Sequence, residues 1–298
     1  MVRLFPLIFV FLWSSAFISG KIIVADATPF ASLAFRFAIV AAGFYLYSVF
    51  RAETFSGSRS DILSAGATGV LFHGFYLGGV FFAVSEGLPA GIAALIVSLQ
   101  PVLTGALAGP VLGEIVTWRQ WVGICLGFIG AALVLGLDIG GDLPIIGVVS
   151  SVVALGAVTI GTLWQKKLSG NLPLSVSNLY QAIGAALFHV FVMLVFEEPS
   201  ISFTPSFILS MGWQIILVSF GAFTILMYLI SIGSASRTAT MFFLVPPISA
   251  VMAWLVVDEA LTIMDIAGLF IATTGVYIAT RVSTKGQNNK KQDMKVKR

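Results

Sequence analysis

Residues Ala90 to Val116 read AGIAALIVSLQPVLTGALAGPVLGEIV, an apolar run with Gln100-Pro101 near its middle and Gly113-Glu114 at its far end. From Ser236 to Leu261 the chain reads SRTATMFFLVPPISAVMAWLVVDEAL, and here Pro246 stands 145 positions after Pro101, as Glu259 stands 145 after Glu114. The same offset pairs Ala90 with Ala235, Ala94 with Ala239, Leu99 with Leu244, Thr117 with Thr262, Gly123 with Gly268 and Gly130 with Gly275. One position less, 144, pairs Pro29 with Pro173 and Ala41-Ala42 with Ala185-Ala186. The chain is a duplication, and each half carries an apolar span broken by proline and ended by an acid.

Working outward, 58% of the 298 residues are apolar and 10% charged, against about 25% charged in a soluble domain. The mean hydropathy is +1.02. Such a chain fits a lipid bilayer, where a helix of roughly 20 apolar residues crosses the hydrocarbon. Ten spans can be read, at about 4–25, 30–50, 62–85, 90–112, 119–137, 145–165, 175–196, 207–230, 236–257 and 264–281. Thr28-Pro29, Gly140-Gly141-Asp142 and Gly170-Asn171-Leu172-Pro173 mark turns between them.

Charge placement tests the count, because Lys and Arg stay on the cytoplasmic side of short loops. With the N-terminus inside, the inner face receives Arg3, Arg51, Arg59, Arg119, Lys166, Lys167, Arg237 and the basic tail. The outer loops hold Asp26, Glu86, Asp138, Asp142, Glu197, Glu198, Asp258, Glu259 and Asp265. The expectation is an all-α membrane protein of ten transmembrane helices, multi-pass in the cytoplasmic membrane, with both termini cytoplasmic. A cleaved signal peptide over residues 1–16 is the rival reading of the start, and the duplication argues against it because cleavage would remove part of a span that the other half keeps.

The expected units are a five-helix repeat over 1–138, a second over 139–283 and a tail over 284–298. Five is odd, so the second repeat enters the membrane inverted relative to the first. Carriers are often built this way, with the substrate site near mid-depth between the repeats.

Pro101 and Pro246 both fall near the bilayer centre. Proline cannot bond the carbonyl four residues back, which frees the C=O groups of Val97 and Phe242 and, through Pro247, of Phe243. Such groups need helices, water or substrate to face. Gln100 offers an uncharged donor and acceptor beside the first break. His73 lies near mid-depth in the third span with Tyr76 one turn on, and as a mid-membrane titratable group it is a candidate proton relay. The alternative is a neutral histidine bonded between helices. Trp13 and Ser15 lie on a polar, aromatic first span. Lys21 and Arg36 sit toward the outer side at the level of Asp26 and Glu86, so ion pairing is expected of them, with an anion-attracting cavity mouth as the alternative. Glycines four apart, at 74/78, 105/109/113 and 123/127, allow close helix approach.

Other classes find little support. The lone Cys125 provides neither a disulfide framework nor a cysteine metal site. The net charge of +3 resides in the tail, which suits anionic lipid rather than nucleic acid. Ser19-Gly20-Lys21 lacks the first glycine and the final Ser or Thr of a nucleotide-binding loop. His-Glu-x-x-His and Gly-x-Ser-x-Gly are absent from the sequence. No enzyme activity, cofactor or metal is expected.

The order Leu12-Trp13-Ser14-Ser15-Ala16-Phe17 with Lys21, Leu33-Ala34-Phe35-Arg36-Phe37, and Pro101 followed by Gly113-Glu114 and Thr117 resembles the EamA-type branch of the drug/metabolite transporter superfamily. The second copy keeps Pro246, Glu259 and Thr262 but has Asp258 in place of the glycine. The resemblance implies an inner-membrane secondary carrier working by alternating access, most often an exporter of amino acids or other small metabolites. Its cavity would be lined from spans one, three, four, six, eight and nine, which selects Trp13, Ser15, His73, Tyr76, Gln100, Trp164, Gln165 and Tyr228 as substrate-binding candidates. Carriers of drugs, nucleotide sugars or sugar phosphates, and a channel or lipid-translocating protein, are the alternatives.

Overall fold

Runs of Leu, Ile, Val, Phe and Ala joined by short turns leave a chain little choice in hydrocarbon, where only helices satisfy their own backbone. The computed structural model describes residues 4–55, 57–88, 90–135, 143–168, 170–257 and 262–280. Their rods are α1 (Phe5–Asp26), α2 (Pro29–Phe50), α3 (Arg59–Ser85), α4 (Ile92–Leu112), α5 (Trp118–Leu135), α6 (Ile145–Leu168), α7 (Leu174–Phe196), α8 (Pro205–Ile232), α9 (residues 235–257) and α10 (Ile263–Thr280). All but α9 are, among the described residues, long and apolar enough to cross a membrane. The ninth expected span coincides with α9, which is helical in three consecutive pieces, Ala235–Thr240, a 3-10 turn Met241–Leu244, and Val245–Val257. Proline in the first turn starts α1, α2 and α8, where its missing N–H costs nothing. Asp258 and Glu259, the loop Gly140-Gly141-Asp142 and the expected tail 284–298 lie outside the described residues.

Two helix pairs join the halves. α2 runs antiparallel to α7, and each is followed by a glutamate that holds the other's start. Glu197 accepts from the backbone N–H of Phe30 at 2.9 Å and of Ala31 at 3.1 Å, while Glu53 accepts from the Ser175 hydroxyl. Glu53 and Glu197 stand 144 positions apart, as do Ala31 and Ser175, so the two contacts are images of one another. Each places a carboxylate at the positive end of a helix. The second pair, α5 with α10, closes on glycine. A Cβ on Gly123 would fall 2.5 Å from the Gly275 carbonyl oxygen, and one on Gly130 would fall 2.6 Å from that of Gly268. The offset of 145 exchanges these two contacts as well.

Symmetry extends to the irregular parts. α3 and α8 widen into π-helical turns over Val70–Gly78 and Gln214–Phe223, runs that begin 144 positions apart. Such turns are rare and gather at functional sites. α4 breaks at Ser98-Leu99 ahead of Pro101, and α9 tightens over Met241–Leu244 ahead of Pro246, as proline in each span requires. The freed region of α9 is braced by α1: Ser14 Oγ donates to the Val245 carbonyl at 3.3 Å, and Ser249 Oγ donates to the Ser14 carbonyl at 3.3 Å. Gly113, in the left-handed region at φ 66°, ends α4. It turns Glu114 toward α9, where the carboxylate accepts from Ala235 N at 2.9 Å and Ser236 Oγ at 3.2 Å. Glu114 therefore caps a helix of the other repeat.

Candidate substrate site

A cavity of about 370 Å³ opens where the end of α6, the turn after it, the start of α7 and the end of α8 meet. That volume lies in the range of small-molecule sites. Its polar lining is uncharged: Gln165 from α6, Ser177 from α7, Tyr228 and Ser231 from α8. Gln165 Oε1 accepts from Gln181 Nε2 at 3.1 Å, and the same nitrogen donates to Ser177 Oγ at 3.2 Å, so two helices fix the amide. Lys166 is drawn to the rim, where Nζ donates to the Ser231 carbonyl at 2.9 Å.

From the cavity an aromatic wall runs along α1. Phe5, Phe9 and Trp13 follow at four-residue spacing, which keeps them on one helical face. Phe5 meets Tyr228 edge-on at 5.7 Å, Phe9 lies 5.4 Å from Trp13, and Phe242 of α9 packs edge-on against both at 5.3 and 5.4 Å. At the far end Trp13 and Tyr76, the latter on the π-helical turn of α3, pack against the same core of Phe72, Val218 and Phe223. Wall and cavity therefore join α1, α3, α6, α7, α8 and α9. Phe242 belongs to the 3-10 turn that Pro246 and Pro247 follow, so this break meets the wall.

The structure brings Gln165 and Tyr228 into one cavity and Trp13 and Tyr76 into the wall that continues from it. Other candidates make contacts between helices. Ser15 Oγ accepts from Trp213 Nε1 at 2.8 Å, and Gln214 Nε2 donates to the Ala16 carbonyl at 2.8 Å and to Ser19 Oγ at 3.0 Å, which docks α1 on the start of the π-helical turn in α8. Gln100 Nε2 donates to Thr104 Oγ1 at 3.2 Å and Thr162 Oγ1 at 3.1 Å, tying the break in α4 to α6, while its buried Oε1 has no partner among the described residues. Pro101 is buried beside it.

His73 is buried between the rings of Phe37 and Phe223, at 4.4 and 4.3 Å, and its backbone carbonyl faces His189 Nε2 at 3.0 Å. Trp164 is 44% exposed and shares a stripe of α6 with the exposed Val149, Val153 and Ile160. Among the described residues the expected ion pairing of Arg36 is not found, and the Lys21 side chain lies outside what is described. Asp26 instead accepts from the hydroxyls of Thr204 at 2.6 Å and Ser206 at 3.2 Å, and Arg36 Nε donates to Ser219 Oγ at 3.0 Å.

Sequence reasoning missed Phe5, Phe9 and Phe242 in the wall, and Ser177, Gln181 and Ser231 around the cavity. The spacing of Phe5, Phe9 and Trp13 was a usable signal, and so was the four-residue spacing of Ser177 and Gln181 in an apolar span. Among the described residues no group of three His, Cys, Asp or Glu is placed to hold a metal ion.

The EamA-like transporter family matches residues 2–136 and again 145–281. The uncharacterized transporter YvbV of Bacillus subtilis (strain 168) is 29% identical over 214 residues, which are 68% of this chain and 66% of that protein. The chain thus spans just under two thirds of that relative's length. A probable amino-acid metabolite efflux pump of Salmonella typhimurium is 28% identical over 211 residues, 67% of this chain and 70% of its own. A crystal structure superposes with a TM-score of 0.78 over 94% of this chain and 97% of its own, at 18% identity, and so shares the fold.

Proposed function

Because the chain belongs to the EamA-like transporter family, whose members move small molecules across membranes, we propose that it exports an amino acid or a close amphipathic relative across the cell membrane by alternating access. The cavity carries the reading. Uncharged Gln165, Ser177 and Tyr228 offer donors and acceptors without a fixed counter-charge, and the wall of Phe5, Phe9, Trp13 and Phe242 takes an apolar side chain. The name of the Salmonella relative supports an amino acid as cargo.

In the proposed topology all ten rods cross the bilayer with both termini cytoplasmic, as charge segregation requires. The end of α6, the start of α7 and the end of α8 then lie inside, so the cavity is open to the cytoplasm. Glu53 and Glu197 hold α2 against α7, and the glycine seam holds α5 against α10. The helices with broken or widened backbone, α3, α4, α8 and α9, are left to rock between the two open states.

The test is flux. Purified protein in liposomes loaded with single amino acids should show saturable release of at least one of them. Gln165→Ala with Tyr228→Ala should lower that release at least about tenfold, on the scale of two lost polar contacts. Release that rises linearly with concentration, or that the double variant leaves unchanged, overturns the assignment.

A further inference from the structure

Arg36 is 8% exposed, about 10 Å along α2 from its first residue at about 1.5 Å per residue. A guanidinium carries five N–H donors, and only Nε–H is used, toward Ser219 Oγ at 3.0 Å. No other hydrogen bond or ion pair reaches Arg36 from the described residues. Its guanidinium carbon lies 5.3 Å from the Phe37 ring, and that ring packs on His73 at 4.4 Å and on His189 at 5.8 Å. Asp26, expected at the same level, accepts from the hydroxyls of Thr204 and Ser206, and Glu197 accepts from the backbone of α2.

A cation inside the hydrocarbon region is expensive and is normally paired. A purely structural brace would also be expected in both repeats, as Glu53 and Glu197 are. The position 144 residues on from Arg36 is Tyr180, so the charge belongs to one half alone. Ser219 lies in the π-helical turn of α8 and His73 in that of α3. Arg36 thus stands at the seam between the repeats, against both irregular segments.

We infer that Arg36 is the counter-charge for a carboxylate on the transported molecule, its two free nitrogens donating to the two carboxylate oxygens when rocking brings cargo to the seam. A planar guanidinium matches a carboxylate in this bidentate way. The inference rests on the transport reading and adds to it the group that the cargo must bear. It also separates recognition into two places, with uncharged contacts at the cavity mouth and charge pairing deeper in.

The experiment uses the full chain in liposomes loaded either with an equimolar pool of the common amino acids or with the matching pool of their amides, released solutes being measured by mass spectrometry. The wild type should release one or more free acids at least about tenfold faster than their amides. Arg36→Gln should slow that release roughly thirtyfold, the scale for removing one partner of a buried charge pair, and Arg36→Lys should recover part of it. The comparison of pools needs only the wild type, so a variant that misfolds does not decide the matter. Equal release of acids and amides, or undiminished release by folded Arg36→Gln, overturns the inference and leaves the transport reading standing. Release that depends on chloride in the buffer and not on the cargo's carboxylate assigns the guanidinium to an inorganic anion and also overturns it. No release from either pool rejects the amino-acid reading itself, and the inference falls with it.

Discussion

Gln100 is expected to offer a donor and an acceptor to substrate, and the structure shows where the donor goes. A glutamine beside a mid-span proline reads as a ligand group, because a lone amide in an apolar run needs a partner. The partners are Thr104 and Thr162, and the oxygen is left bare. A buried amide only half satisfied contributes little net stability, and side-chain hydrogen bonds within membranes average below about 1 kcal/mol. Gln100→Met should therefore shift the unfolding free energy in detergent by less than about 1 kcal/mol. Trp13 is a different case, since its indole packs on Phe9 and Phe242 and shapes the wall. Trp13→Ala should raise the half-saturating concentration at least about fivefold, on the scale of about 1 kcal/mol for a lost aromatic contact. Trp13, Tyr76, Gln165 and Tyr228, which the structure places in the wall and cavity, stand out in sequence because polar aromatics and amides are rare among Leu and Val. Phe5, Phe9 and Phe242 do not, because phenylalanine facing lipid and phenylalanine facing substrate look alike until the neighbouring helices are placed.

Among the elements, α2 and α7 are locked at both ends by carboxylates on helix N-termini, an interaction worth about 0.5–2 kcal/mol at a cap. Glu53→Gln and Glu197→Gln should each lower stability by about that amount, and their effects should add, since the two sites lie at opposite ends of the pair. Melting of the single and double variants checks this. Glycine separates in the same way. Gly130→Ala drives a methyl group into the backbone of α10 and should abolish recovery of folded protein. Gly156→Ala in α6 meets nothing within 4 Å and should be neutral or stabilising by up to about 1 kcal/mol. Four-residue spacing announced close packing, but it could not tell the seam of Gly123 and Gly130 from Gly109, where an added Cβ would come no nearer than 3.6 Å to Glu114. That distinction depends on which helix arrives opposite. The π-helical turns of α3 and α8 were invisible for a related reason: both runs hold glycine, Gly74 and Gly78 in one and Gly221 in the other, but glycine in an apolar span reads as close packing.

At the scale of the whole molecule, the repeat read from Pro101 and Pro246 extends to paired caps, paired glycine contacts, paired breaks and paired π-helical turns, all at offsets of 144 or 145. Duplicated sequence made the repeat and its proline breaks legible without any structure. The single-copy residues are what the repeat could not foretell, Arg36 and Gln165 among them, and they give the symmetric frame a chemistry of its own. The central claim is that the cavity among the ends of α6 and α8 and the start of α7 opens to one face of the membrane at a time. It is tested most directly on the full chain carrying Cys125→Ser and Tyr228→Cys, in sealed vesicles of known orientation, with a thiol reagent that cannot cross the bilayer. The expected result is labelling from the cytoplasmic face alone. Labelling from the opposite face alone would invert the topology, and labelling from both faces at once would make the chain a channel; either result contradicts the account.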